Sequence, residues 1–194
     1  MSDGQQIERV HNNNEKYQAY KVQMARYRKA IAQKFYFEAM LIDYAMMEDR
    51  LISFFYHIGV IDDRNVSVIV IKRTKKYIEI LSGKKSPGKL SGIEKKIDLL
   101  RTILIWASGD APVTSDQKYL VLLRKQCRQQ LDIPEFLALL DQIDFWRKYR
   151  NEIIHGLMNK NTLAIDEQIS CKAEEGMELA RWLDSQSAKI RKGN

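Results

Sequence analysis

Apolar residues recur at three- and four-residue intervals along almost the whole chain, and this rhythm most constrains the fold. Phe37, Leu41, Tyr44, Met47, Leu51, Phe55 and Ile58 make one such face, and Gly59 is a natural stop for it. Leu90, Ile93, Ile97, Leu100, Leu104 and Ala107 make another, broken over 109–115 with Pro112 inside the break. Ser115 and Asp116 are placed to cap a helix through Leu120, Leu123, Cys127 and Leu131. Pro134 suits the first turn of a helix carrying Phe136, Leu140, Ile143, Trp146, Ile153, Ile154 and Leu157. A last helix is expected from about Ile165 to Ile190, through Ile169, Ala173, Met177, Ala180 and Leu183. Gly and Pro number only 9 and 3, too few for a sandwich or barrel built on tight turns. The expected architecture is all-α, an up-and-down bundle of five to seven helices.

Two stretches are less clear-cut. Residues 14–34 lack Gly and Pro and read as a polar, basic helix ahead of the long segment 32–58. Residues 66–81 are rich in Val and Ile; a strand fits 66–71, but the spacing of Ile69, Lys76 and Ile80 favours a helix. The domain reading is a polar basic extension over 1–31, a helical domain over 32–190 and a tail over 191–194.

Composition narrows the function classes. The 194 residues suit one domain that needs no disulfide or metal staple. The uncharged apolar stretches fall short of the roughly 20 residues that cross a bilayer. Residues 1–14 are polar, with no secretory apolar stretch, so a cytoplasmic location and no membrane partner are expected. Cys127 and Cys171 read as free thiols, Cys127 in the core. With His11, His57 and His155 they show no metal-ligand spacing, so no metal or cofactor is expected.

The net charge of +7 is unevenly spread. Lys72, Arg73, Lys75, Lys76, Lys84, Lys85, Lys89, Lys95 and Lys96 face only Glu79 and Glu94 in their stretch. That concentration suits RNA phosphates, or is a solvated lysine-rich face. Lys21–Lys34 holds five basic residues and no acid, as a basic arm or an exposed helix. The stretch Gly83-Lys84-Lys85-Ser86-Pro87-Gly88-Lys89 imitates a phosphate-binding loop, but Leu90 stands where Ser or Thr is required.

One helix breaks the apolar rule. On a wheel with Ile143 at zero, Trp146, Arg150, Ile154 and Leu157 all fall within about 60°. Arg150 thus sits where an apolar residue is expected, and a buried guanidinium needs a partner or an anion. Glu48, among Tyr44, Leu51 and Phe55, is the expected partner, with Asp49 as the alternative. Asn151 and His155, four apart, stack on one side of the helix, and Gly156 leaves room beside the imidazole. A fixed cation, an amide and a titratable imidazole together fit metal-free phosphodiester cleavage. An interhelical ion pair beside a surface histidine fits the same spacing.

Arg150-Asn151-x-x-x-His155, set between Phe145-Trp146-Arg147-Lys148-Tyr149 and Gly156-Leu157 on a late helix of an all-α chain, resembles the hallmark of the HEPN superfamily. The resemblance spans about 32–190. It implies a helical bundle that dimerises and brings two motif copies together in a cleft. It also implies a metal-independent endoribonuclease of toxin–antitoxin, abortive-infection or CRISPR-linked defence, using the RNA 2′-hydroxyl as nucleophile. Carried over, His155 is the general acid/base, Arg150 holds the scissile phosphate, and Asn151 orients the phosphate or the imidazole. An antitoxin or other defence partner is implied too. Leu157 stands where toxins paired with a small nucleotidyltransferase antitoxin often carry Tyr. Other members of the superfamily are not nucleases, so the alternatives are a non-catalytic interaction and dimerisation module and a basic RNA-binding protein.

Overall fold

The protein is described by a computed structural model over residues 13–61, 69–70, 89–90, 92–110, 112–113, 118–156 and 162–192. These residues form six helices: α1 (Asn13–Ala32), α2 (Tyr36–His57), α3 (Gly92–Ser108), α4 (Lys118–Gln130), α5 (Ile133–Gly156) and α6 (Thr162–Lys192). Between α2 and α3, β1 (Ile69–Val70) pairs antiparallel with β2 (Lys89–Leu90), with Ile69 opposite Leu90. The all-α bundle is therefore the architecture. The helix expected over 66–81 is corrected at 69–70, which is extended: β-branched Ile69 and Val70 suit a pleated pair better than a helix.

The helix expected over 14–34 and the long segment expected over 32–58 are two helices, α1 and α2, that meet at a turn over 33–35. Its chemistry is a helix-ending motif in which the amide of Phe35 donates to the carbonyl of Ala30 (2.7 Å) and that of Lys34 to Ile31 (3.1 Å). Lys34 takes the left-handed conformation this requires, at φ 60°. The end of α2 repeats the pattern: Val60 donates to Phe55 (2.8 Å), Gly59 to Tyr56 (3.0 Å), and Gly59 has φ 75°. Glycine makes the left-handed residue of the second stop readable from sequence; lysine hides that of the first.

The most extensive packing joins α2 to α6, with α1 against α2 and α5 against α6. α1 is part of this body, not a free arm. Its Tyr27 is buried and donates to the carbonyl of Ala173 on α6 (3.1 Å), while Lys16 Nζ meets Asp49 at 2.7 Å. Burial and the nearby Asp43 carboxylate push the Tyr27 phenol up to about 12.

The buried side of α2 runs through Met40, Asp43, Met47, Leu51, Phe54 and Phe55. Leu41, expected inside, is 50% exposed because that stripe lies one residue round from it. Across the interface, α6 comes close enough that a methyl on Gly176 would lie 2.6 Å from Trp146 Cζ2 and 2.8 Å from Asp43 Oδ2. Only glycine permits this approach.

On the far side α3 packs on α2, α4 and α5 through Ile93, Ile97, Leu100, Leu104 and Ala107. Arg128 of α4 closes the C-terminal end of α3, donating to the carbonyls of Ala107 and Gly109, each at 2.7 Å. A guanidinium there meets the unpaired carbonyls and the negative end of the helix dipole. Cys127 lies in the core, where burial pushes its thiol up to about 12; Cys171 is exposed. The capping residues expected at 115 and 116 lie outside the described residues.

Candidate functional site

α5 starts where Asp132 accepts the amide of Glu135 on its Oδ1 (3.0 Å), an N-terminal cap, with Pro134 in the first turn. Its inner face buries Phe136, Leu139, Leu140, Ile143, Trp146 and Ile153. The Trp146 indole donates to the carbonyl of Lys172 (2.7 Å), which fixes α5 against α6. By the last turn the buried side has rotated toward Ile153. Ile154, expected in the stripe, is 37% exposed, and Leu157 lies outside the described residues.

Arg150 stands at this rotation and is half-buried. Its guanidinium carbon lies 4.7 Å from the centre of the Tyr44 ring on α2. Nη1 donates to Asn151 Oδ1 (3.1 Å), and Nε is buried with no hydrogen-bond partner among the described residues. The expected pairing of Arg150 with Glu48 is corrected. Glu48 binds the ammonium of Lys96 on α3. Lys96 is wholly buried, and an ammonium in that position needs a carboxylate more than a half-buried guanidinium does. Asp49, the alternative, turns to α1, where Lys16 and the Tyr20 hydroxyl (2.5 Å) hold it. Among the described residues, Arg150 has no carboxylate within ion-pair distance.

His155 is exposed near the end of α5, and Asn151 is half-buried one turn before it. In ideal helix geometry the two are about 6 Å apart along the axis and about 40° apart around it. Arg150 and His155 differ by about 140° around the axis, so Asn151 lies between them and bridges inward to Arg150. This end of the helix offers a guanidinium with no carboxylate on it among the described residues, an amide and a solvent-facing imidazole. Each can contact a phosphate or its ester oxygens.

The neighbouring cations are committed elsewhere. Arg147 binds Asp144 (2.8 Å) and Glu94 (3.5 Å), and Lys148 binds Asp144 (2.8 Å). Burial raises the Asp144 carboxyl, but the hydrogen bonds and charges of Lys148 and Arg147 outweigh it and hold it below the usual range.

Of the expected RNA patch, Lys95 is exposed on α3, whereas Lys96 is corrected to a buried partner of Glu48. Its place on the core side of α3 puts it among Ile93, Ile97 and Leu100, away from solvent. Lys72, Arg73, Lys75, Lys76, Lys84, Lys85 and the Lys89 side chain lie outside the described residues, as does the Gly83–Gly88 stretch.

Tyr44 belongs to the apolar face read from sequence, and its place under Arg150 appears only in the fold. Its signal was the aromatic one turn before Glu48. Among the described residues no three His, Cys, Asp or Glu side chains are grouped to hold a metal. No helix among them is long and apolar enough to cross a membrane. Comparison with known proteins gives no match, whether to a family model, a curated protein or a solved structure.

Proposed function

We propose that the chain is a metal-independent endoribonuclease of HEPN type, acting as a toxin or defence effector in the cytoplasm. The observation that supports this reading best is Arg150, a half-buried guanidinium that among the described residues has an unpartnered Nε and no carboxylate, beside Asn151 and an exposed His155. Leaving a guanidinium partly buried without a counter-charge is costly, and an arriving phosphate removes that cost.

In this reading the RNA 2′-hydroxyl attacks the adjacent phosphorus and the 5′-oxygen leaves. The products are a 2′,3′-cyclic phosphate and a 5′-hydroxyl. His155 moves the proton, Arg150 stabilises the charge growing on the phosphoryl oxygens, and Asn151 holds Arg150 in place. A second copy of the chain, pairing two such helix ends, is part of the proposal, as is an antitoxin or defence-system partner.

The test is RNA cleavage in EDTA by wild type, His155→Ala and Arg150→Ala. Wild type is expected to cut. Removing His155 is expected to cost about 10²–10⁴-fold, the range for general acid–base catalysis. An inactive wild type, or a His155→Ala that cuts equally well, refutes the proposal. A non-catalytic interaction module is the second reading, favoured by the Arg150–Tyr44 contact between α5 and α2. It gives a lowered melting temperature in Arg150→Ala and no cleavage by any form.

A further inference from the structure

Two cations, Lys96 of α3 and Arg150 of α5, meet neighbouring side chains of α2. Glu48 and Tyr44 are one turn apart on α2. Glu48 binds Lys96, and Tyr44 lies under Arg150. An arginine pairs with a carboxylate through two parallel hydrogen bonds, so Arg150 is the natural competitor for Glu48. Lys96 wins because it is fully buried: its ammonium left alone would be a bare charge in the core, whereas Arg150 keeps partial access to water.

The consequence falls on Arg150. A guanidinium resting on an aromatic ring uses the face of its plane. Its N–H groups lie in that plane; among the described residues Asn151 accepts one of them, and Nε is buried without a partner. The cation is thereby fixed in position with no described carboxylate to neutralise it.

We propose that Lys96 is a positioning residue for the Arg150 anion site: by sequestering Glu48 it keeps Arg150 open to a phosphate of single-stranded RNA. The choice of RNA as ligand rests on the ribonuclease reading; the sequestration itself does not. Lys96 touches no ligand and acts only through Glu48. Its loss therefore differs from loss of a phosphate contact, because removing the Glu48 charge as well repairs it.

The experiment measures binding of a short fluorescein-labelled single-stranded RNA by anisotropy, with His155→Ala in every protein so that the RNA stays intact. Lys96→Met is expected to weaken binding by about tenfold, the equivalent of one ion pair's worth of competition. Lys96→Met with Glu48→Gln is expected to return to within about threefold of the parent. A Lys96→Met that folds and binds like the parent overturns the proposal, as does a double variant as weak as the single one. Lys96→Gln, which keeps a donor and removes the charge, takes the place of Lys96→Met if the latter does not fold.

A second readout needs no RNA. The Glu48–Arg150 coupling is measured by urea unfolding in a cycle of Glu48→Gln and Arg150→Ala. It is expected near zero with Lys96 present and about fivefold in the folding constant with Lys96→Met. If the parent binds no RNA and wild type cuts none, the ribonuclease reading fails while this cycle still decides the sequestration. An unchanged coupling overturns it.

Discussion

Asp43 offers the sharpest test of the packing, because it places an ionisable group where no ion is comfortable. It sits on the inner face of α2 with no exposed surface. Neither carboxyl oxygen has a hydrogen-bond partner among the described residues. Gly176 of α6 closes over it, with Trp146 of α5 beside the same glycine. Burial pushes its carboxyl from the ordinary 3.8 up to about 8, and the positive charge of Arg181 offsets only part of this. Tyr27 of α1 faces it as a neutral phenol.

At neutral pH the native state therefore holds a proton on Asp43 that the unfolded chain has released. Below pH 4 both states are protonated and the group makes no difference to stability. Between about pH 4 and pH 8 only the native state is protonated, and stability falls by about 1.4 kcal/mol for each pH unit. By pH 7 the accumulated loss is about 4 kcal/mol, a large share of the 5–15 kcal/mol that holds a typical domain together. Above pH 8 the loss levels off.

Asp43→Asn keeps the shape and removes the titration. Urea unfolding of wild type and Asp43→Asn at pH 5, 6, 7 and 8 is the assay, since every other group cancels in the difference. The variant should gain on wild type by about 1.4 kcal/mol for each unit of rising pH and be the more stable form at pH 8. Parallel stability curves would show that Asp43 ionises in the folded protein at its ordinary pH and would refute the account of a sealed carboxyl.

Two further outcomes follow from backbone geometry. In an open helix Gly176→Ala would gain about 1 kcal/mol, but here the new methyl meets the Trp146 ring at 2.6 Å, so a net loss of about 1–3 kcal/mol in chemical denaturation is expected. Lys34→Gly relieves the left-handed strain at the α1–α2 turn and should raise stability by about 0.5–1 kcal/mol, the glycine's extra unfolded-state freedom cancelling part of the gain; a destabilised variant would contradict the turn geometry.

Much of the fold was legible because helical periodicity is a local property. The inner faces of α3 and α6 follow the three/four spacing: Ile93, Ile97, Leu100 and Leu104 are buried, and so are Ile169, Ala173, Met177 and Leu183. Gly59 and Pro134 punctuate where glycine and proline chemistry says they should. The turn at Lys34 falls where the reading divides 14–34 from 32–58, but its left-handed conformation was not legible, because a lysine there leaves no compositional mark. Nor was the inward position of Asp43, which a wheel drawn through Leu41 and Tyr44 places off the buried stripe. Gly176 was visible as a glycine in mid-helix, but which neighbours it admits depends on how α2 and α5 approach α6.

The site divides along the same line. Sequence alone determined that Arg150 breaks an apolar stripe, that Asn151 lies beside it, and that His155 follows one turn later on the same helix. These relations need only the pitch of a helix. Tertiary structure decided the partners. Glu48 went to Lys96, Asp49 to Lys16 and Tyr20, and Arg150 to the face of Tyr44. The physical reason is that a carboxylate pairs according to which cation is most deeply buried. Burial belongs to the crossing of three helices and cannot be read from any one of them.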